Sequence, residues 1–92
     1  MKLSEFKGEK AFEIAAKIMP LARDISRNEK VRETMKADGM TYTGFLTGIA
    51  QHAQNEAAEI FAVLNEIDVE EYKAKATAAT IISDLYSLLY DD

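Results

Sequence analysis

Apolar residues recur at steps of three and four along residues 56–72, and this spacing constrains the fold more than any other feature of the chain. It places one set of side chains on a single helical face, which must be buried against other elements. The members of this set are Ala57, Ile60, Phe61, Leu64 and Ile67. The segment therefore predicts a helix packed in the core of an α-helical protein.

The end of this segment predicts a turn followed by a second helix. Asp68 suits the N-cap position, and Glu71 follows three residues later, which is the spacing of a capping box. Tyr72 then falls in the first turn of the new helix, where we expect it to anchor that helix. The expected structural residues here are Leu64, Asp68, Glu71 and Tyr72, with Leu64 buried.

The first strong helix carries its apolar stripe over residues 11–25, and Pro20 interrupts it. Proline removes a helical N–H and clashes with the carbonyl four residues back. We therefore expect a kink or a helix restart near Met19, with both halves facing one core. Asn28 is the predicted N-cap of the helix that follows.

The middle of the chain allows two descriptions. Thr41 is a predicted N-cap, and the helix after it has Tyr42 on its apolar stripe, which runs in phase toward residue 60. Either one helix covers residues 42–66, or a break falls in the polar segment 51–55. We favour a break, with Asn55 as the cap of the restarted helix.

Length and composition agree with a small helical protein. The 92 residues, 48% of them hydrophobic, predict one domain, residues 1–92. No segment alternates in the way that a β-strand requires. The predicted fold class is therefore all-α, a bundle of five or six short helices. No apolar run approaches the roughly 20 residues of a membrane span.

The last predicted helix contains more apolar residues than one core-facing stripe needs. One explanation is a central helix that is buried on most sides. The other is a helix that offers one face to a partner. In the second case its candidate residues for partner binding or self-association are Ile81, Leu85, Tyr86, Leu89 and Tyr90.

Charge is distributed unevenly in a chain whose net charge is −5. Residues 17–36 contain six basic and three acidic side chains, whereas residues 55–92 contain nine acids and two lysines. The negative total argues against general nucleic-acid binding. The division is explained either by an ordinary solvated surface or by head-to-tail contact between subunits. Head-to-tail contact would make Arg23, Arg27 and Arg32 candidates for self-association.

The sequence contains no spacing typical of a catalytic or metal site. His52 is the single histidine, and without cysteine a zinc site would need three carboxylates around it. The acids of residues 66–71 lack the spacing of a calcium loop. Gly44 and Gly48 form a G-x-x-x-G pair, which indicates close helix packing or a weak helix start. We expect no catalytic, cofactor-binding or metal-binding residue and no enzymatic activity.

Three segments resemble one known family, in the order in which that family has them. Residues 2–11, KLSEFKGEKA, resemble its short lead into a helix, and residues 14–30 are similar to its first helix, with internal Pro20, and the charged exit. Residues 60–72, IFAVLNEIDVEEY, resemble its module of helix, turn and E-E-Y. The family is the tail assembly chaperones of long-tailed (siphovirus-type) bacteriophages and prophages of Gram-positive bacteria.

This resemblance implies a non-enzymatic protein of the bacterial host cytoplasm. Such a protein binds the tape-measure protein, helps recruit tail-tube subunits during tail morphogenesis, and forms a homo-oligomer. Family members often continue past their last helix, so an extension after residue 92 is a further expectation. Two alternatives stay open, namely a structural tail or connector protein of the virion and a bacterial helical adaptor protein.

Overall fold

The computed structural model describes residues 3–89 of the chain. Over this range a short 3-10 helix, Leu3–Glu5, precedes six α-helices, and no strand is formed. The helices are α1 (Gly8–Arg27), α2 (Glu29–Ala37), α3 (Tyr42–His52), α4 (Gln54–Asn65), α5 (Val69–Lys75) and α6 (Ala78–Ser87). The prediction of an all-α bundle of five or six short helices is confirmed.

Helix α4 forms the centre of the bundle, because it packs against α1, α3 and α5. The apolar stripe that predicted this helix is buried at Ala57, Ile60, Phe61 and Leu64, which confirms the expected burial of Leu64. Helix α2 packs mainly on α3. The basic segment, residues 17–36, lies on α1 and α2, whereas the acidic segment, residues 55–92, includes the central helix α4 with α5 and α6.

Helix α1 runs without interruption through Pro20, so of the two predicted alternatives near Met19, a kink or a restart, the restart is wrong. Pro20 cannot donate a hydrogen bond to the carbonyl of Ala16. Both residues are exposed, so water can satisfy that carbonyl and the helix can continue. Ile14 and Ile25, on either side of the proline, are buried. Both halves of α1 therefore face one core, as expected.

Gly44 and Gly48 let α2 and α3 approach each other closely. A Cβ atom on Gly48 would lie 2.9 Å from the carbonyl oxygen of Val31 and 3.0 Å from its Cα. A Cβ atom on Gly44 would lie 2.7 Å from the Cβ of Asp38. The two carbon-to-carbon distances, 3.0 Å and 2.7 Å, are shorter than an ordinary contact of about 3.5–4.0 Å. Of the two explanations for this glycine pair, close helix packing is confirmed.

The helix caps agree with the sequence at two positions and differ at a third. The side chains of Asn28 and Thr41 each accept a hydrogen bond from a backbone N–H three residues on, at 3.1 Å and 3.0 Å. The break between α3 and α4 is also confirmed. Its N-cap is Ala53, however, and Asn55 lies in the first turn of α4, so the prediction that Asn55 caps the helix is wrong.

Tyr42 lies on the same face of α3 as the buried Ile49 but is 66% exposed. Although Tyr42 belongs to the predicted apolar stripe, it is the first residue of α3 and is not part of the buried core. Phe6, in the lead before α1, is buried, so this lead is attached to the core.

The predicted capping box of α5 is wrong. Asp68 occupies the N-cap position, but its side chain makes no capping hydrogen bond. The carboxylate of Glu71 instead lies 2.8 Å from the ammonium of Lys75, one turn further along α5. An i, i+4 pair of opposite charges competes with the capping contact for the same carboxylate.

Candidate protein-binding surfaces

Helix α6 lies at the edge of the bundle and makes few close backbone contacts with the other helices. Within residues 81–89 of the described chain, Leu85 alone is fully buried. The explanation of the last helix as a central element is therefore wrong. A capping box of Thr77 and Thr80 starts this helix, with N–H to hydroxyl distances of 2.8 Å and 3.2 Å.

The apolar residues of α6 are divided between two faces. Ile81 and Leu85 are one turn apart and line the space between α6 and the helices beneath it, where Leu85 is buried and Ile81 is 36% exposed. Ile82 and Tyr86 are also one turn apart, about 100° further round the helix, and they are 56% and 43% exposed. We call the face with Ile82 and Tyr86 the outer face of α6. Of the other sequence candidates, Leu89 is half-buried and Tyr90 lies outside the described residues.

Tyr72 connects α6 to the core. Its side chain is buried, and its ring packs on Phe61 with the ring centroids 5.6 Å apart. Its hydroxyl donates a hydrogen bond to Asp84 Oδ2 at 2.6 Å. Burial raises the pKa of Tyr72 above its usual value, and the hydrogen bond to Asp84 and the charge of Asp84 raise it further. The hydroxyl therefore stays protonated and acts as a donor across the ordinary pH range.

An apolar groove of about 490 Å³ opens between α6 and the helices beneath it. Small side chains of α4 form its floor, and aromatic rings close one end. At the other end Lys73 Nζ donates a hydrogen bond to Asn55 Oδ1 at 3.2 Å. The main lining residues are Ala50, Ala57, Ala58, Phe61, Tyr72, Ile81 and Leu85. We call this the α6 groove. Its volume falls in the range of about 300–1,000 Å³ that is typical of ligand pockets.

Helix α1 carries a second apolar surface, on the side away from the core. Phe12 and Met19 are 82% and 67% exposed, and the exposed residues Ala15 and Ala16 lie between them. Arg23 continues the same face one turn further on. We call this the outer face of α1. Sequence reasoning missed it because the core stripe accounts for the apolar periodicity of α1. The signal was a second pair of large apolar residues, two turns apart and out of phase with that stripe.

The three candidate arginines are exposed and lie on α1 and α2. Arg23 Nε lies 3.3 Å from Asp24 Oδ1, and Arg27 is in the last turn of α1. Arg32 Nε donates a hydrogen bond to the carbonyl oxygen of Ser26 at 2.9 Å. Arg32 therefore helps to satisfy the free carbonyls at the end of α1, which gives it a role within the chain.

An ion pair links α1 to the end of α4. Lys10 Nζ on α1 lies 2.6 Å from Glu66 Oε1, at the C-cap of α4. The hydrogen bond and the charge of Lys10 lower the pKa of Glu66, and the same contact raises the pKa of Lys10. Both side chains are exposed, so this contact is of the kind that contributes little to stability.

Residues 3–89 show no arrangement suited to a metal ion, since no three His, Cys, Asp or Glu side chains converge. His52 is exposed at the end of α3, and its carbonyl accepts a hydrogen bond from Asn28 Nδ2 at 3.0 Å. No helix in this part of the chain is long and apolar enough to cross a membrane.

Comparison of the chain with protein-family models, with curated proteins and with solved structures gave no match.

Proposed function

We propose that the protein is a non-enzymatic tail assembly chaperone of a long-tailed bacteriophage or prophage. In this role it binds the tape-measure protein and helps recruit tail-tube subunits in the cytoplasm of the bacterial host. The ordered resemblance of residues 2–11, 14–30 and 60–72 supports this choice of family. The outer face of α6 is the observation that supports the binding role.

The outer face of α6 suits a long helix as its partner. It presents Ile82 and Tyr86 at i and i+4, the spacing by which helices recognise apolar stripes on each other. Residues 78–83 carry no charge, and Ala78 and Ala79 at the start of α6 allow close approach. A tape-measure protein is a long, largely helical rod with apolar stripes, so its surface is complementary to this face.

A weak contact of this kind suits a protein that covers the tape-measure protein with many copies. Burying a large apolar side chain contributes roughly 1.5–3 kcal/mol, and this face offers two such side chains. A single copy would therefore bind weakly, because association also costs translational and rotational freedom. Many copies along one rod would hold it extended, and each could be removed when tube subunits arrive.

Co-expression with a tape-measure protein, which the proposal expects to be encoded beside this chain, tests the proposal. We expect the wild-type chain to keep that partner soluble, and Ile82→Asp to reduce the soluble fraction. Tyr42→Asp is the matched control, since it places the same charge at another exposed apolar position. If the partner is equally insoluble with and without the chain, the chaperone function is wrong. If the partner is soluble with the wild type and with Ile82→Asp alike, another surface binds it.

A second measurement distinguishes an assembly chaperone from a structural component of the virion. A chaperone of this class is absent from the finished virion, whereas a tail or connector protein remains in it. Mass spectrometry of purified particles should therefore detect no stoichiometric amount of the chain. Its presence at the level of a tail component would overturn the chaperone function.

A further inference from the structure

We propose that copies of this chain associate head to tail, with the outer face of α1 of one copy seated in the α6 groove of the next. Phe12 and Met19 are the inserted side chains. The occupant of the groove is thus a second copy of the chain. This inference does not depend on the proposed function, because it involves no tape-measure or tube protein.

The two surfaces match in length and in shape. Phe12 and Met19 are seven residues apart, which is about 10.5 Å along a helix. The α4 wall of the groove extends from Gln54 to Phe61, also seven residues. Small residues occupy the middle of both surfaces, since residues 15 and 16 of α1 and residues 57 and 58 of α4 are alanines. The two helices can therefore approach closely while the large side chains fill the ends.

Charge selects one of the two possible orientations. On α1, Glu9 lies one turn before Phe12, and Arg23 lies one turn after Met19. Lys73 lines the groove at the Asn55 end, and Asp84 lies next to the groove at the aromatic end, where it accepts the hydrogen bond from the Tyr72 hydroxyl. Seating Phe12 at the Lys73 end places both charge pairs opposite each other. The reverse orientation would bring like charges together, which is unfavourable.

The favoured orientation also places Met19 against the rings of Phe61 and Tyr72. Contacts between a thioether and an aromatic ring are favourable. The side-chain contact between Arg23 and Asp24 is exposed, so the guanidinium can turn toward a neighbouring molecule at little cost.

The proposed contact is heterologous, because its two halves are different surfaces of the same chain. Such a contact leaves one free half on each end of any open oligomer, so it closes into a ring or propagates. Burial of Phe12 would also account for an aromatic side chain that is 82% exposed on the single chain.

Sedimentation of the purified chain over a range of concentrations tests the proposal, with circular dichroism to verify that each variant is folded. We expect the wild type to associate, and Phe12→Ala to weaken the association by about tenfold or more, as truncation of an aromatic anchor does. Tyr42→Ala is the matched control, since it removes another exposed aromatic ring, and it should leave association unchanged. Ala50→Glu places a charge on the exposed rim of the groove and should weaken association as strongly as Phe12→Ala.

A mixture of the two weakened variants gives the decisive result. Phe12→Ala keeps an intact groove, and Ala50→Glu keeps an intact outer face of α1. An equimolar mixture should therefore form a one-to-one dimer that grows no further. A wild-type chain that stays monomeric at every concentration overturns the proposal, as does association that neither substitution weakens. Two weakened variants that fail to pair when mixed also overturn it, because an interface between identical surfaces would behave in that way.

Discussion

Replacing Gly48 with alanine should destabilise the fold, although alanine is the better helix former. By helix propensity alone the change would stabilise α3 by about 0.8–1.0 kcal/mol. The new Cβ would lie 2.9 Å from the carbonyl oxygen and 3.0 Å from the Cα of Val31. Both are backbone atoms, so α2 must shift as a unit, and overpacking of this kind costs about 1–3 kcal/mol. The expected net result is a loss of about 1 kcal/mol in the free energy of unfolding.

Urea unfolding followed by circular dichroism measures this change, and an unchanged slope would show that the two variants expose the same surface on unfolding. Ala50→Gly is the matched control in the same helix. Ala50 is exposed on the single chain, so at concentrations where the chain is monomeric its replacement reports helix propensity and should cost about 0.8–1.0 kcal/mol. If Gly48→Ala stabilises the chain by as much as Ala50→Gly destabilises it, the close approach of α2 does not limit the side chain at residue 48.

Three further predictions concern stability. Leu64→Ala should lower the free energy of unfolding by about 2–5 kcal/mol, because the side chain is buried in α4, while the exposed Glu70→Ala should stay within about 0.5 kcal/mol. The pKa of Tyr72 is raised in the fold, so its contribution to stability is complete below its ordinary pKa of about 10 and is lost as the pH rises above it. Between about pH 9 and about pH 11 the urea midpoint should therefore fall more for the wild type than for Tyr72→Phe. Equal falls in the two proteins would contradict the assignment. The pKa of Glu66 is lowered in the fold, so its contribution is present above its ordinary pKa and is lost toward acid pH. Lys10→Gln should make the free energy of unfolding depend less on pH in the acid range. An unchanged dependence would show that the ion pair does not contribute to stability.

The helices and most of their caps could be predicted because local sequence encodes them. The apolar spacing in α4 and the side chains of Asn28 and Thr41 act within one or two turns, so a single sequence is enough to recognise them. Asp68 and Glu71 show the limit of this reasoning. Their spacing fits a capping box, but Lys75 lies one turn further on and takes the carboxylate, and spacing alone does not rank two local partners.

The surfaces could not be predicted, because contacts between distant segments determine them. Ile81 and Ile82 are adjacent and equally apolar, yet one lines the groove and the other faces outward. The hydrogen bond of Tyr72 to Asp84, 12 residues away, helps to fix that rotation of α6. The floor of the groove consists of alanines, which are common both in cores and on surfaces, so their pattern does not indicate a cavity.

The way in which α6 is attached has a consequence for the dynamics of the chain. Its first turn is capped by its own residues Thr77 and Thr80, so the helix can begin without help from the rest of the bundle. We therefore expect α6 to open as a cooperative unit while α1–α5 stay folded, with amide hydrogens that exchange at a lower free energy than those of α4. Each such opening would uncover Ala57, Ala58 and Phe61 together. The chain would thus alternate between a state in which α6 covers these residues and a state in which they are accessible, while α1–α5 stay folded.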